Sequence, residues 1–190
     1  DPNQNDVWKH YAVVRSSGTL KLYVNGKVAY SASNTVDMTG FRYLSISGYY
    51  NTNFLWKGYI QDFRIYTGGA KYTSNFIPAS TNPDILPDTP SGVSGGSKLA
   101  KVTEGAVSFD GSSDSLKAPD SSDLAFGTGE FTVEMFFYAN TVSGNDVLYD
   151  SRAATGSPAD GFSIVRKFWV SLWLKTEIEK YLKSERSEFF

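Results

Sequence analysis

His10 is the only histidine in the chain, and there is no cysteine. Chemistry that needs an imidazole therefore has one anchor, and thiolate chemistry has none. A zinc site draws on several Cys, His or carboxylate ligands, and a Ser-His-Asp triad needs its histidine beside a hydroxyl and a carboxylate. His10 stands next to Trp8 and Lys9 in VWKHYAVVR, where a structural role is the simpler expectation. Glycoside hydrolysis is the next candidate, because retention needs two carboxyl groups about 5–5.5 Å apart. The strand best suited to it, EFTVEMFFY over residues 130–138, carries Glu134 with Thr132 and Phe136 at the i±2 positions. No partner carboxylate sits at those positions, and the chain is expected not to be an enzyme.

Two binding chemistries remain. Ca²⁺ takes six to eight oxygens from carboxylates and loop carbonyls. Asp110 and Asp114 lie in the turn-rich SFDGSSD, with Asp120, Asp123, Asp146 and Asp150 further on. Asp-Gly and Ser-Asp pairs are equally at home in plain turns, and none of these stretches has the EF-hand pattern. A Ca²⁺ ion held by Asp110 and Asp114 and a purely local turn both stay open. For an organic ligand the best residues are Tyr49, Tyr50, Asn51, Asn53 and Trp56, in the loop GYYNTNFLW. Exposed aromatic rings stack on sugars, and amides both donate and accept hydrogen bonds. Such a loop can also pack across the end of a fold, and Tyr and Asn suit protein ligands as well.

The elements that must position these residues are strands. Residues 19–25, TLKLYVN, alternate Leu20, Leu22 and Val24 against Thr19, Lys21 and Tyr23, the period-two signature of a strand with one buried face. Asn25-Gly26 follows, a strong hairpin signal because both residues tolerate positive φ. Strands are predicted over 7–15, 27–32, 41–48 and 57–66, the last with Tyr59, Gln61, Phe63 and Ile65 on one face and Ile60, Asp62, Arg64 and Tyr66 on the other. Residues 78–100 hold four prolines and the run SGVSGGS, which disfavour regular structure. Beyond them, strands are predicted over 106–110, 114–118, 130–138, 147–150 and 161–165. In 130–138, Phe131, Val133, Met135 and Phe137 face one way and Thr132, Glu134, Phe136 and Tyr138 the other. The tail 166–190 lacks Gly and Pro. Its Leu174, Ile178, Tyr181 and Leu182 fall at helical spacing, which suggests a short strand running into a helix.

Composition narrows the function classes. Of 190 residues, 15% are aromatic and the net charge is −2, so there is no basic excess to neutralise phosphates and no nucleic acid is expected as a partner. No apolar run approaches the roughly 20 residues that span a bilayer, and no membrane partner is expected either. The first residue is Asp1 and no signal peptide is visible, as expected for a piece of a longer protein.

Two stretches resemble the laminin-G-like, concanavalin A-like jelly-roll family. Trp8, His10, Ala12 and Arg15 resemble its W-x-H-x-A-x-x-R strand, and Leu20–Gly26 its L-x-L-Y-V-N-G. Residues 58–66, GYIQDFRIY, resemble its closing strand, and Asn75–Pro78 its exit. Val107–Asp114 resembles its opening strand and turn, and Phe131–Glu134 its next strand. The order is reversed relative to a whole domain. The chain therefore divides into a C-terminal half of one repeat (1–80), a linker (81–104), an N-terminal half of a following repeat (105–165) and a tail (166–190). The resemblance implies an all-β antiparallel jelly-roll sandwich, circularly permuted or swapped, with a short C-terminal helix. It also implies lectin-like recognition of a glycan or cell-surface ligand in an extracellular or virion setting, as in LamG-type repeats of marine phage structural or adhesin-like proteins. A half sandwich leaves a hydrophobic face uncovered. The halves must close within one chain, or self-associate by exchange between chains.

Overall fold

The computed structural model of the chain describes residues 5–40, 43–48, 54–78, 105–141, 146–151, 162–166 and 170–174. The alternating segments form strands β1 (Trp8–Ser16), β2 (Thr19–Val24), β3 (Lys27–Ser33), β4 (Leu44–Ile46), β5 (Lys57–Thr67), β6 (Val107–Asp110), β7 (Leu116–Ala118), β8 (Phe131–Ala139), β9 (Asp146–Asp150), β10 (Phe162–Arg166) and β11 (Val170–Leu174). They make two antiparallel sheets, one in the order β3-β2-β1-β8-β5-β6 and one in the order β11-β10-β9-β4-β7.

Strands from either side of residues 79–104 interleave in both sheets. β8 lies between β1 and β5, with Trp8 opposite Tyr138 on one flank and Tyr59 opposite Tyr138 on the other. β4 lies between β7 and β9. The reason is burial: the inner face of β2, β1, β8 and β5 packs against that of β10, β9 and β4. Tyr11, Val13, Leu20, Ile60, Phe131, Val133, Met135, Phe137, Leu148 and Ile164 meet in one core. Tyr11 and Trp56 each pack edge-on against Phe137, at centroid distances of 4.4 and 5.5 Å. Each such side chain withdrawn from water contributes about 1.5–3 kcal/mol before entropy is counted.

One local feature differs from the expected pattern. In β5, Gln61 opposes Phe136 and Arg64 opposes Glu134, so three steps on β5 match two on β8. The extra residue is a bulge with Asp62 at φ 52°. It shifts the alternation by one, so that Phe63 and Ile65 join Ile60 against the core while Arg64 and Tyr66 take the outer side with Tyr59 and Gln61. The strict two-face assignment of residues 57–66 thus holds only up to Gln61. In the tail, Val170–Leu174 is a strand beside β10. The helix expected after it lies outside the described residues.

The hairpin at Asn25-Gly26 forms as the dipeptide predicts, with φ 49° and 76°. Gly26 is constrained twice. Its φ disfavours a side chain, and an added Cβ would collide with the Phe76 carbonyl, because Phe76 N donates to Gly26 O at 2.9 Å.

Candidate functional site

The outer side of the six-stranded sheet is formed across β2, β1, β8 and β5, and a non-strand segment, residues 68–78, lies over part of it. Ala70, Tyr72 and Phe76 pack on buried Ala12, Val14 and Tyr23, making a second, smaller core. The segment is pinned along its length. Gly68 N donates to Glu130 O, Lys71 N to Thr132 Oγ1 at 2.9 Å, Lys21 Nζ to Thr73 O at 2.8 Å, and Val28 N to Asn75 Oδ1 at 2.9 Å.

Beneath this strap lies Glu134, 3% exposed. One carboxylate oxygen accepts from Lys71 Nζ, which also donates to Tyr66 OH at 3.1 Å. The other accepts from Tyr72 OH at 2.7 Å and lies 3.4 Å from His10 Nε2. His10 is walled by rings edge-on to it: Phe136 at 4.8 Å, Phe76 at 5.6 Å and Tyr72 at 6.3 Å. Tyr72 and Phe76 in turn stack in parallel at 3.5 Å. The hairpin orients His10 from below, since His10 N donates to Asn25 Oδ1 at 2.9 Å and Asn25 N to His10 O at 2.8 Å.

Burial alone would raise the Glu134 pKa, but hydrogen bonds from His10, Lys71 and Tyr72 and the Lys71 charge outweigh it and hold the group at about 2. Burial would likewise lower Lys71, and its bond and charge contact with Glu134 instead raise it. Tyr72 is raised by burial first and by the adjacent carboxylate second. The result is a closed ion pair with an added phenol. A carboxylate held that low carries no proton to donate near neutral pH and is a weak base.

Trp56 is placed differently from the expectation of an exposed stacking ring. It is fully buried against Phe137 and the guanidinium of Arg166, which lies 5.8 Å from its ring and 5.9 Å from that of Phe137. Its backbone N donates to Ser47 Oγ at 3.1 Å, so the end of the loop is drawn inward by a large apolar surface. Tyr49, Tyr50, Asn51 and Asn53 lie outside the described residues. Asp110 is a turn acceptor. Its carboxylate takes the N–H groups of Ser112, Ser113 and Asp114 at 2.7, 2.9 and 3.2 Å and the Ser113 hydroxyl at 3.1 Å. The Ser113 and Ser112 N–H bonds chiefly hold its pKa at about 2. Asp114 Oδ2 accepts from Asp110 N at 3.0 Å. Among the described residues, no three His, Asp or Glu side chains converge as a metal site would require, and no helix is long and apolar enough to cross a membrane.

The sequence reading placed His10 and Glu134 in separate strands and did not bring in Lys71 or Tyr72. No local signal could have done so, since these residues lie 63 and 62 positions from Glu134.

Residues 1–70 match the family model described as the concanavalin A-like lectin/glucanases superfamily, Laminin_G_3. The two packed antiparallel sheets are the sandwich expected of that superfamily. The matched stretch contains β1 to β5 and His10, and ends one residue before Lys71. Neither the curated proteins nor the solved structures give a match to the chain.

Proposed function

We propose that this chain is a non-catalytic binding module recognising a carbohydrate or other cell-surface ligand, within a larger extracellular or virion protein of the phage structural or adhesin-like kind. The observation that carries the reading is the state of Glu134. In a superfamily whose name joins lectins to glucanases, the carboxylate on the central strand of this chain is closed under the strap and bonded to Lys71 and Tyr72. Glu134 is 3% exposed, so its carboxylate is withheld from a substrate approaching that side of the sheet. A rigid sandwich with a polar aromatic loop then serves recognition better than turnover, since function resides in sites grafted on a fold.

A glycan array probed with the full chain tests this. Binding to at least one glycan, without release of reducing sugar, is expected. Hydrolysis of a bound oligosaccharide, or binding to none, overturns it.

A second reading, a structural spacer or assembly domain, has one observation in its favour. β1 and β5 pair with β8 across a connection of residues 79–104, and the same pairing can form between two chains. A stable dimer with exchanged halves and no glycan binding favours that reading. A monomer at all concentrations removes it.

A further inference from the structure

The strap covers only part of the outer sheet face. At the far end of the same three strands, Trp8 on β1, Tyr138 on β8 and Tyr59 on β5 stand directly opposite one another in register. Their rings form a row, with centroids 5.6 Å apart from Trp8 to Tyr138 and 5.9 Å from Tyr138 to Tyr59. Trp8 and Tyr138 are partly exposed and Tyr59 is 37% exposed. Among the described residues, neither phenol nor the indole N–H hydrogen-bonds to protein. That is unlike Tyr72 and Tyr23, whose hydroxyls donate to Glu134 and to the Tyr72 carbonyl.

We infer that the row Trp8–Tyr138–Tyr59 is a docking platform for a neutral, soluble saccharide chain. The inference rests on the carbohydrate-binding reading above and supplies its site. Three properties of the row select that occupant. Aromatic faces pack against the C–H faces of sugar rings while their polar tips stay available for hydroxyls. The row itself carries no charge. Its continuation on β6 is Ser108, opposite Tyr59, and it is bordered on one side by Gln61, opposite Phe136. On the other side Lys57 and Asp110, of opposite sign, face each other, and exposed Asp6 lies just beyond Trp8 with its N–H on Ala139 O, so the border offers no positive field that would favour an acidic polymer. Finally, the rings are inclined, at 55° and 70° between neighbours. The surface is therefore notched rather than flat, which fits a single twisted chain better than the face of a crystalline polysaccharide.

The test uses the full chain, titrated calorimetrically with soluble cellohexaose, xylohexaose, laminarihexaose and mannohexaose, and mixed with microcrystalline cellulose in a pull-down. At least one hexasaccharide is expected to bind. Tyr59→Ala and Trp8→Ala should each weaken it at least tenfold, and Trp8→Phe should retain most of the affinity. Tyr59 is 37% exposed, so its variant should stay folded and keeps the test valid if the Trp8 variants unfold. Unchanged affinity in Tyr59→Ala, with loss in Tyr50→Ala, would place the sugar on the loop and overturn the platform while leaving the carbohydrate reading intact. Binding to none of the probes sinks both. Retention on the cellulose alone overturns the choice of a soluble chain. Loss of self-association rather than of sugar binding in Tyr59→Ala makes the row a protein contact and overturns the platform.

Discussion

The outer face of β1, β8 and β5 has two ends built from similar residues and finished differently. At one end, His10, Glu134 and Phe136 lie under the strap, with the Glu134 carboxylate bonded to Lys71 and Tyr72 and 3.4 Å from His10 Nε2. At the other, Trp8, Tyr138 and Tyr59 form a ladder whose polar tips bond to none of the described residues. The difference shows what a cover does to a sheet face. Under the strap a carboxylate becomes tolerable only because donors converge on it, since an unpaired buried charge is costly. In the open, aromatic side chains need no such partners, because water satisfies their hydroxyls.

Removing the carboxylate attacks the closed end hardest. Glu134→Ala leaves the partly exposed Lys71 ammonium with only Tyr66 OH as a partner and should cost ~2–3 kcal/mol of stability, within the range for hydrogen bonds to charged groups. Chemical denaturation measures it. A loss under 1 kcal/mol would mean that the strap does not depend on the pair.

Tyr72→Phe keeps the ring stacked on Phe76 and deletes one hydrogen bond to the carboxylate. A loss of about 1.5 kcal/mol is expected, at the lower end for bonds to charged groups, again by denaturation. A neutral result would show that Lys71 alone suffices.

Acid sharpens the contrast through linkage. The folded Glu134 value of about 2 lies below its ordinary 4.5, so the stability it contributes is fully present above pH 4.5 and is lost as pH falls toward 2. Melting temperature followed from pH 6 to pH 2 should fall less steeply in Glu134→Gln than in the parent. Parallel curves would assign the acid loss to other carboxylates, Asp110 among them.

The open end should respond least. Tyr59→Ala is expected to cost about 1 kcal/mol, the worth of one aromatic pair at a half-exposed strand position. A loss of several kcal/mol would show that the ladder is part of the scaffold and erase the contrast.

Most of the strands were legible along the chain. Alternation in residues 19–25 and 130–138 places Leu20, Leu22, Phe131, Val133 and Met135 on the inner face, where they are found, because side-chain direction in a strand is set by position alone. Asn25-Gly26 declared its hairpin for an equally local reason. The bulge at Asp62 was not legible. A residue in left-handed conformation inside a strand answers to the partner strand and the core beneath it, and the run GYIQDFRIY alternates well enough without it. Trp56 misled for a related reason: one indole in a loop serves a ligand or a core equally well, and only the arrangement of Phe137 and Arg166 around it decides.

From its own residues, then, the chain determines an all-β body whose greasy faces need each other, since periodicity and turn chemistry act over a few residues at a time. What three-dimensional packing alone decided is which partners meet: β8 between β1 and β5, Lys71 and Tyr72 over Glu134, and three rings in one row. Those contacts join positions scores of residues apart. Their energies come from burial and convergence, which exist only once the sheets have closed.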